Sequence, residues 1–125
     1  MCLTDCDSVI TAYSGVFSSP NYPGFYGKHL NCSWLINLVN GSGVRLSINN
    51  FMTEANYQFL QVYDGNSSSS PLLLNISGAV GNYPAFVSSS KNMLVLFSTK
   101  NGVQFKGFTA SFYGMFHHTY LHYTK

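Results

Sequence analysis

Apolar and polar residues alternate along most of this chain with a period of two, and the 3.6-residue period of a helix is missing. In Cys32-Ser33-Trp34-Leu35-Ile36-Asn37-Leu38, the side chains of Trp34, Ile36 and Leu38 fall on one face of an extended segment. Val44, Leu46 and Ile48 alternate with Arg45, Ser47 and Asn49, and Leu60 and Val62 alternate with Phe59, Gln61 and Tyr63. Phe108, Ala110 and Phe112 alternate with Thr109, Ser111 and Tyr113. Met93-Leu94-Val95-Leu96-Phe97 is apolar on both faces, the pattern of a central strand. Turn-forming clusters separate the runs: Ser19-Pro20-Asn21-Tyr22-Pro23-Gly24, Asn40-Gly41-Ser42-Gly43, Asp64-Gly65-Asn66, Ser77-Gly78 and Asn101-Gly102. Short strands at this spacing predict an all-β sandwich or barrel, with Ser67 to Ser70 as a solvated loop.

Composition sharpens this picture. A chain of 125 residues is one domain, and its 46% hydrophobic and 16% aromatic content excludes disorder. Only 8% of residues are charged, where about 25% is usual. The 36 Ser, Thr and Asn residues therefore do the solvating. A net charge of +2 without a basic cluster speaks against nucleic acid as a partner. No apolar stretch approaches the roughly 20 residues of a membrane span, so direct membrane insertion is not expected. Met1-Cys2-Leu3-Thr4-Asp5 lacks the basic start and apolar segment of a signal peptide, so compartment is read elsewhere. Four Asn-x-Ser sequons, at Asn31, Asn40, Asn66 and Asn75, are candidate glycosylation sites. Chance predicts about two in so Asn- and Ser-rich a chain, and the excess points to an extracellular location.

Cys2, Cys6 and Cys32 leave two readings open: buried free thiols, or a Cys6–Cys32 bridge with Cys2 left for a neighbouring domain or second chain. A bridge closing about 25 residues contributes roughly 3 kcal/mol on the chain-entropy account. Three cysteines cannot build a zinc ribbon. Catalytic options are thin, because Asp5, Asp7, Glu54 and Asp64 are the whole acidic complement. Asp64 reads as a turn residue capping backbone, and His29 as a surface residue before Cys32. His118 and His122 have i, i+4 spacing, but nothing supports a helix there, and with His117 they read as tail residues. Glu54 is expected to pair with Arg45 or Lys100. Two aromatic groups stand out: Tyr22, Phe25 and Tyr26 near the first turn, and Tyr57, Phe59 and Tyr63 on one strand face.

At this point the residues reach a family. The segment Ser14-Gly15-Val16-Phe17-Ser18-Ser19-Pro20-Asn21-Tyr22-Pro23-Gly24-Phe25-Tyr26 closely resembles the opening of a CUB domain, and Asn31-Cys32-Ser33-Trp34-Leu35-Ile36 resembles that family's Cys-x-Trp strand. The stretches Tyr57 to Gly65, Ser88 to Ser98 and Lys106 to Tyr113 resemble its later strands in order, so the likeness runs from Cys6 to Tyr113. It implies an all-β, single-domain antiparallel β-sandwich of jelly-roll type over residues 6–113, with Cys6 and Cys32 bonded. Residues 1–5 would be a flank carrying unpaired Cys2, and residues 114–125 a tail or linker.

The departures from the family matter as much. Its second disulfide has no counterpart, since the first region is shortened to Glu54-Ala55-Asn56-Tyr57 and Ser77 precedes Gly78. Many CUB domains bind calcium through one Glu and two Asp, of which only Glu54 matches here. Gln58 and Thr99 stand at the other two positions, so no metal and no cofactor are expected. The resemblance implies a non-catalytic extracellular module that binds a protein or glycan ligand within a larger receptor, protease, or matrix or mucosal protein. The alternative is a free-standing secreted adhesin of the seminal type, and the outsider is a metal-dependent enzyme. With charge scarce, Tyr22, Phe25 and Tyr26 are the expected ligand contacts.

Overall fold

A computed structural model of the chain describes residues 6–27, 29–99 and 103–116. The nine strands among them are β1 (Asp7–Ala12), β2 (Ser14–Ser18), β3 (Asn31–Leu38), β4 (Gly43–Met52), β5 (Phe59–Tyr63), β6 (Leu72–Ile76), β7 (Ala79–Val87), β8 (Asn92–Ser98) and β9 (Gly107–Met115). They form two sheets, ordered β1-β3-β8-β5-β6 and β2-β9-β4-β7. No helix among the described residues is long and apolar enough to cross a membrane. Strand β9 runs to Met115, past the boundary expected at Tyr113, because Gly43 and Val44 of β4 pair with Met115 and Gly114.

The alternating runs face one another across the core. Trp34, Ile36 and Leu38 of β3, Met93, Val95 and Phe97 of β8, and Leu60 and Val62 of β5 are buried on one side. Val44, Leu46, Ile48 and Phe51 of β4 meet them with Phe108, Ala110 and Phe112 of β9. Phe108 is the centre of an aromatic cluster, 5.2 Å from Phe97, 5.7 Å from Trp34, 6.1 Å from Phe51 and 6.3 Å from Phe17 between ring centroids. Edge-on and tilted rings at these separations add to the stabilisation that burial of their area gives.

Three readings are refined. Cys6 and Cys32 form a disulfide, with their α-carbons 4.9 Å apart, so neither is a free thiol. The bridge ties together the starts of β1 and β3, which pair in parallel, the one exception among otherwise antiparallel ladders. Strand β8 is central, but its second face is not covered by the other sheet: Leu94 and Leu96 are only half-buried. Leu94 lies in register between Leu35 and Tyr63, so the outer face of the five-stranded sheet carries an apolar row.

Strand β4 contains the main irregularity. Between Ile48 and Phe51 it advances three residues while β7 advances two, from Tyr83 to Gly81. Against β9 it advances three residues from Asn49 to Met52 while β9 advances two, from Thr109 to Gly107. One extra residue is thus inserted against both neighbours. Asn50 has φ of 54°, and its N–H is satisfied by Asn82 Oδ1 at 3.0 Å. A bulge of this kind bends the strand and re-aims the side chains beyond it.

Candidate functional site

The loops β2–β3, β4–β5 and β8–β9 and the β6–β7 turn gather at one end of the sandwich. Their polar groups hold them to one another. Tyr26 is fully buried, its ring 5.3 Å from Phe97, and its hydroxyl donates to Gln58 Oε1. The Glu54 N–H donates to the same oxygen at 3.0 Å. Thr53 Oγ1 donates to the Gln58 carbonyl at 3.0 Å and accepts from the Gly78 N–H at 2.9 Å. Glu54 Oε1 accepts the Val103 N–H at 2.7 Å. Thr99 Oγ1 accepts from the Leu30 N–H at 2.9 Å and donates to the Gly27 carbonyl at 3.2 Å. Four connections are thus cross-linked, with no ion pair among their described residues. Burial pushes the Tyr26 hydroxyl above its usual pKa, so it stays a donor to higher pH than an exposed tyrosine.

Outside this knot the same loops expose apolar side chains. Phe25 is 59% exposed, Tyr57 57% and Val103 59%. Beside them the β4 bulge, the β7 start and the β2–β3 loop border an open cleft of about 550 Å³ lined by Tyr22, Pro23, Met52, Val80 and Lys106 among others.

The expected site residues divide accordingly. Phe25 is exposed and Tyr22 is half-buried on the cleft wall. Tyr26 is corrected: with no exposed surface it packs under its own loop and cannot contact a ligand. Tyr57 is corrected too, since the Tyr57 and Gln58 N–H groups both bond back to the Glu54 carbonyl and Asn56 has φ of 69°. That turn ends before β5 begins and leaves Tyr57 on the loop, whereas Phe59 and Tyr63 stay on the strand. The period-two run continued one residue too far, and the Asn56 turn residue was the signal against it. Arg45 lies over the Tyr113 ring at 5.8 Å and does not pair with Glu54. Asp64 Oδ1 accepts the Ser89 N–H at 2.9 Å, a backbone cap that reaches across to the β7–β8 turn. Asn31, Asn40, Asn66 and Asn75 are all exposed. Cys2, Lys100, His117, His118 and His122 lie outside the described residues.

A family model described as "CUB domain" matches residues 6–112. The chain belongs to the CUB family. The tolloid dorsal-ventral patterning protein of Drosophila melanogaster is 34% identical over 113 residues, which are 87% of this chain and 10% of that protein. Rat cubilin is 35% identical over 112 residues, 86% of this chain and 3% of that protein. Mouse CUB and zona pellucida-like domain-containing protein 1 is 32% identical over 120 residues, 93% of this chain and 19% of that protein. The chain thus spans a small part of each relative. Among solved structures, the full extracellular region of zebrafish Gpr126/Adgrg6 superposes with a TM-score of 0.76 at 29% identity, covering 86% of this chain and 14% of that one. The MASP-1 CUB2 domain bound to Ca2+ superposes with a TM-score of 0.74 at 23% identity, covering 86% of this chain and 97% of that one.

The calcium in that last structure invites a test of fit on this CUB domain. Calcium takes six to eight oxygens, several of them carboxylate. Of Glu54, Gln58 and Thr99, only Glu54 carries a carboxylate, and one of its oxygens accepts a backbone N–H. Gln58 Oε1 already accepts two donors, and the Thr99 hydroxyl is engaged on both sides. Gln58 Nε2 is a buried donor with no partner among the described residues, a group that repels a cation. The donor set does not fit calcium. No group of three His, Cys, Asp or Glu among the described residues is placed to hold a metal.

Proposed function

We propose that this CUB domain is a non-catalytic extracellular binding module of a larger receptor, protease or matrix protein, and that it engages a protein ligand through its loop end. One observation carries the reading: Phe25, Tyr57 and Val103 stand in water on loops that a hydrogen-bond network holds in place. A preorganised apolar surface spends little ordering entropy on binding, and aromatic anchors supply the buried area. One oxygen of the Glu54 carboxylate is tied to the β8–β9 loop, and no second carboxylate among the described residues is known to join it in receiving a partner's cation. N-glycans on Asn31, Asn40, Asn66 and Asn75 would solubilise a surface poor in charge, and Cys2 would bond a neighbouring domain or a second chain. The test is retention of extracellular-fluid and cell-surface proteins on the immobilised, glycosylated chain, compared with Phe25→Ala and Tyr57→Ala variants of unchanged melting temperature. Specific retention lost in both variants supports the reading. Retention that survives both substitutions rejects it.

A further inference from the structure

The cleft beside the β4 bulge has a chemistry of its own. Its walls are apolar, from Tyr22, Pro23, Met52 and Val80, and its single charge is Lys106. Met52 is 40% exposed, and Gly81 at φ of 74° has nothing within 4 Å of where a Cβ would stand, so the cleft is open to a visitor. The Lys106 backbone adjoins the sheet: its carbonyl lies 3.4 Å from Ser19 Oγ, and the next residue begins β9. Among the described residues Lys106 has no carboxylate to pair with. Asp7, Glu54 and Asp64 accept the backbone N–H groups of Ser33, Val103 and Ser89, each away from the cleft lining.

We infer that this cleft is a pocket for a carboxylate presented beside an apolar side chain on a protein partner. The inference rests on reading the chain as a binding module and names what that module takes up. A cleft of about 550 Å³ accommodates one or two side chains. Apolar walls with one placed cation bind an apolar body and orient its anionic head, and a cation beside low-dielectric walls interacts with that head more strongly than it does in open water. An amine in the same place meets Lys106 as a like charge. The bulge gives this meaning in the fold: the extra residue of β4 between Asn49 and Met52 shifts its register on both β7 and β9, and so helps to aim the wall carrying Met52.

The inference is tested on the full 125-residue chain with two probes that share a ring and differ in charge, phenylacetate and phenethylamine, followed by amide NMR shifts. Phenylacetate should shift the amides of Met52, Ala79, Val80 and Gly81 saturably, and phenethylamine should not. Lys106→Met should weaken phenylacetate about three- to tenfold, the range of a partly desolvated ion pair. Lys91→Met, an exposed lysine of the β7–β8 turn, should leave it unchanged. Lys106→Glu should reverse the preference toward the amine. Equal response to both probes, no response to either, or binding unaffected by Lys106→Met overturns the inference. Failure here with ligand retention still dependent on Phe25 and Tyr57 leaves the proposed function standing. Carboxylate capture without any protein retention rejects the proposed function instead.

Discussion

Gln58 is the side chain around which the loop end is organised. Its Oε1 must face the Glu54 N–H, because an amide nitrogen there would set donor against donor. That orientation lets the Tyr26 hydroxyl donate to the same oxygen and leaves Nε2 buried without a partner among the described residues. Tyr26→Phe removes one of the two donors to Gln58 while keeping the ring against Phe97, and should cost about 1–2 kcal/mol in urea unfolding at neutral pH. The pH dependence has a definite sign. Burial raises the Tyr26 pKa in the folded state, so its contribution is complete below the unfolded value of about 10 and is lost as pH rises through the folded value. Stability of the parent should fall as pH rises above the unfolded value, and Tyr26→Phe should flatten that fall. An equally steep decline in the variant would assign the effect to other groups. Calcium should leave this end untouched. A bound ion stabilises by RT ln(1 + [L]/Kd), so a functional site would raise Tm visibly at millimolar calcium. Equal Tm in calcium and in chelator is expected; a rise of several degrees abolished by Glu54→Ala would show that Gln58 and Thr99 can serve as ligands after all.

Legibility at the scale of elements follows position in the sheets. Strands β3, β4, β5, β8 and β9 were readable because each is interior to its sheet and buries alternate residues. Of the four edge strands, β1 and β7 bury none of their six and nine residues and β2 and β6 bury one each, Phe17 and Leu74, so their periodicity gives no comparable signal. Pro84 within β7 is tolerated at such an edge, where one side of the ladder is unpaired. In the loops the limit is different. Phe25 and Tyr26 are adjacent aromatics with opposite fates, and only the bond from the Tyr26 N–H to the Phe105 carbonyl, together with Gln58, settles which one turns inward. Gly107 has φ of 84°, and a Cβ there would stand 1.9 Å from Ser19 Oγ, the atom that accepts the Phe108 N–H at 3.1 Å. Gly107→Ala should therefore cost about 1–3 kcal/mol from crowding, before any cost of the left-handed backbone, read from the shift in denaturation midpoint. Loss below a few tenths would mean that β9 can start without this contact. The Cys6–Cys32 bridge acts on the same scale, joining the starts of β1 and β3, and Cys32→Ser should cost about 2–5 kcal/mol or prevent secretion.

For the whole molecule the scarcity of charge decides how partners are met. Six cations and four carboxylates in 125 residues build no extended field of one sign, and the three described carboxylates each accept a backbone N–H. Electrostatic steering of a partner over long range needs such a field and is suppressed by salt. Association through Phe25, Tyr57 and the neighbouring cleft should instead depend on apolar area, which salt does not screen. The single Lys106 contact adds the shallow slope of one ion pair. Affinity for a retained ligand, measured from about 50 to 500 mM salt, should thus change only a few-fold, while Phe25→Ala or Tyr57→Ala should cost about 2 kcal/mol if the residue is a true anchor. Both variants must first melt like the parent, since a loop that had lost its packing would also bind poorly. Their side chains are more than half exposed, and truncating them removes little from the core. Binding that collapsed across that salt range yet tolerated both substitutions would place recognition on charge, and the aromatic loop end would then be a solvent-facing cover of the Tyr26–Gln58 knot with no part in the contact.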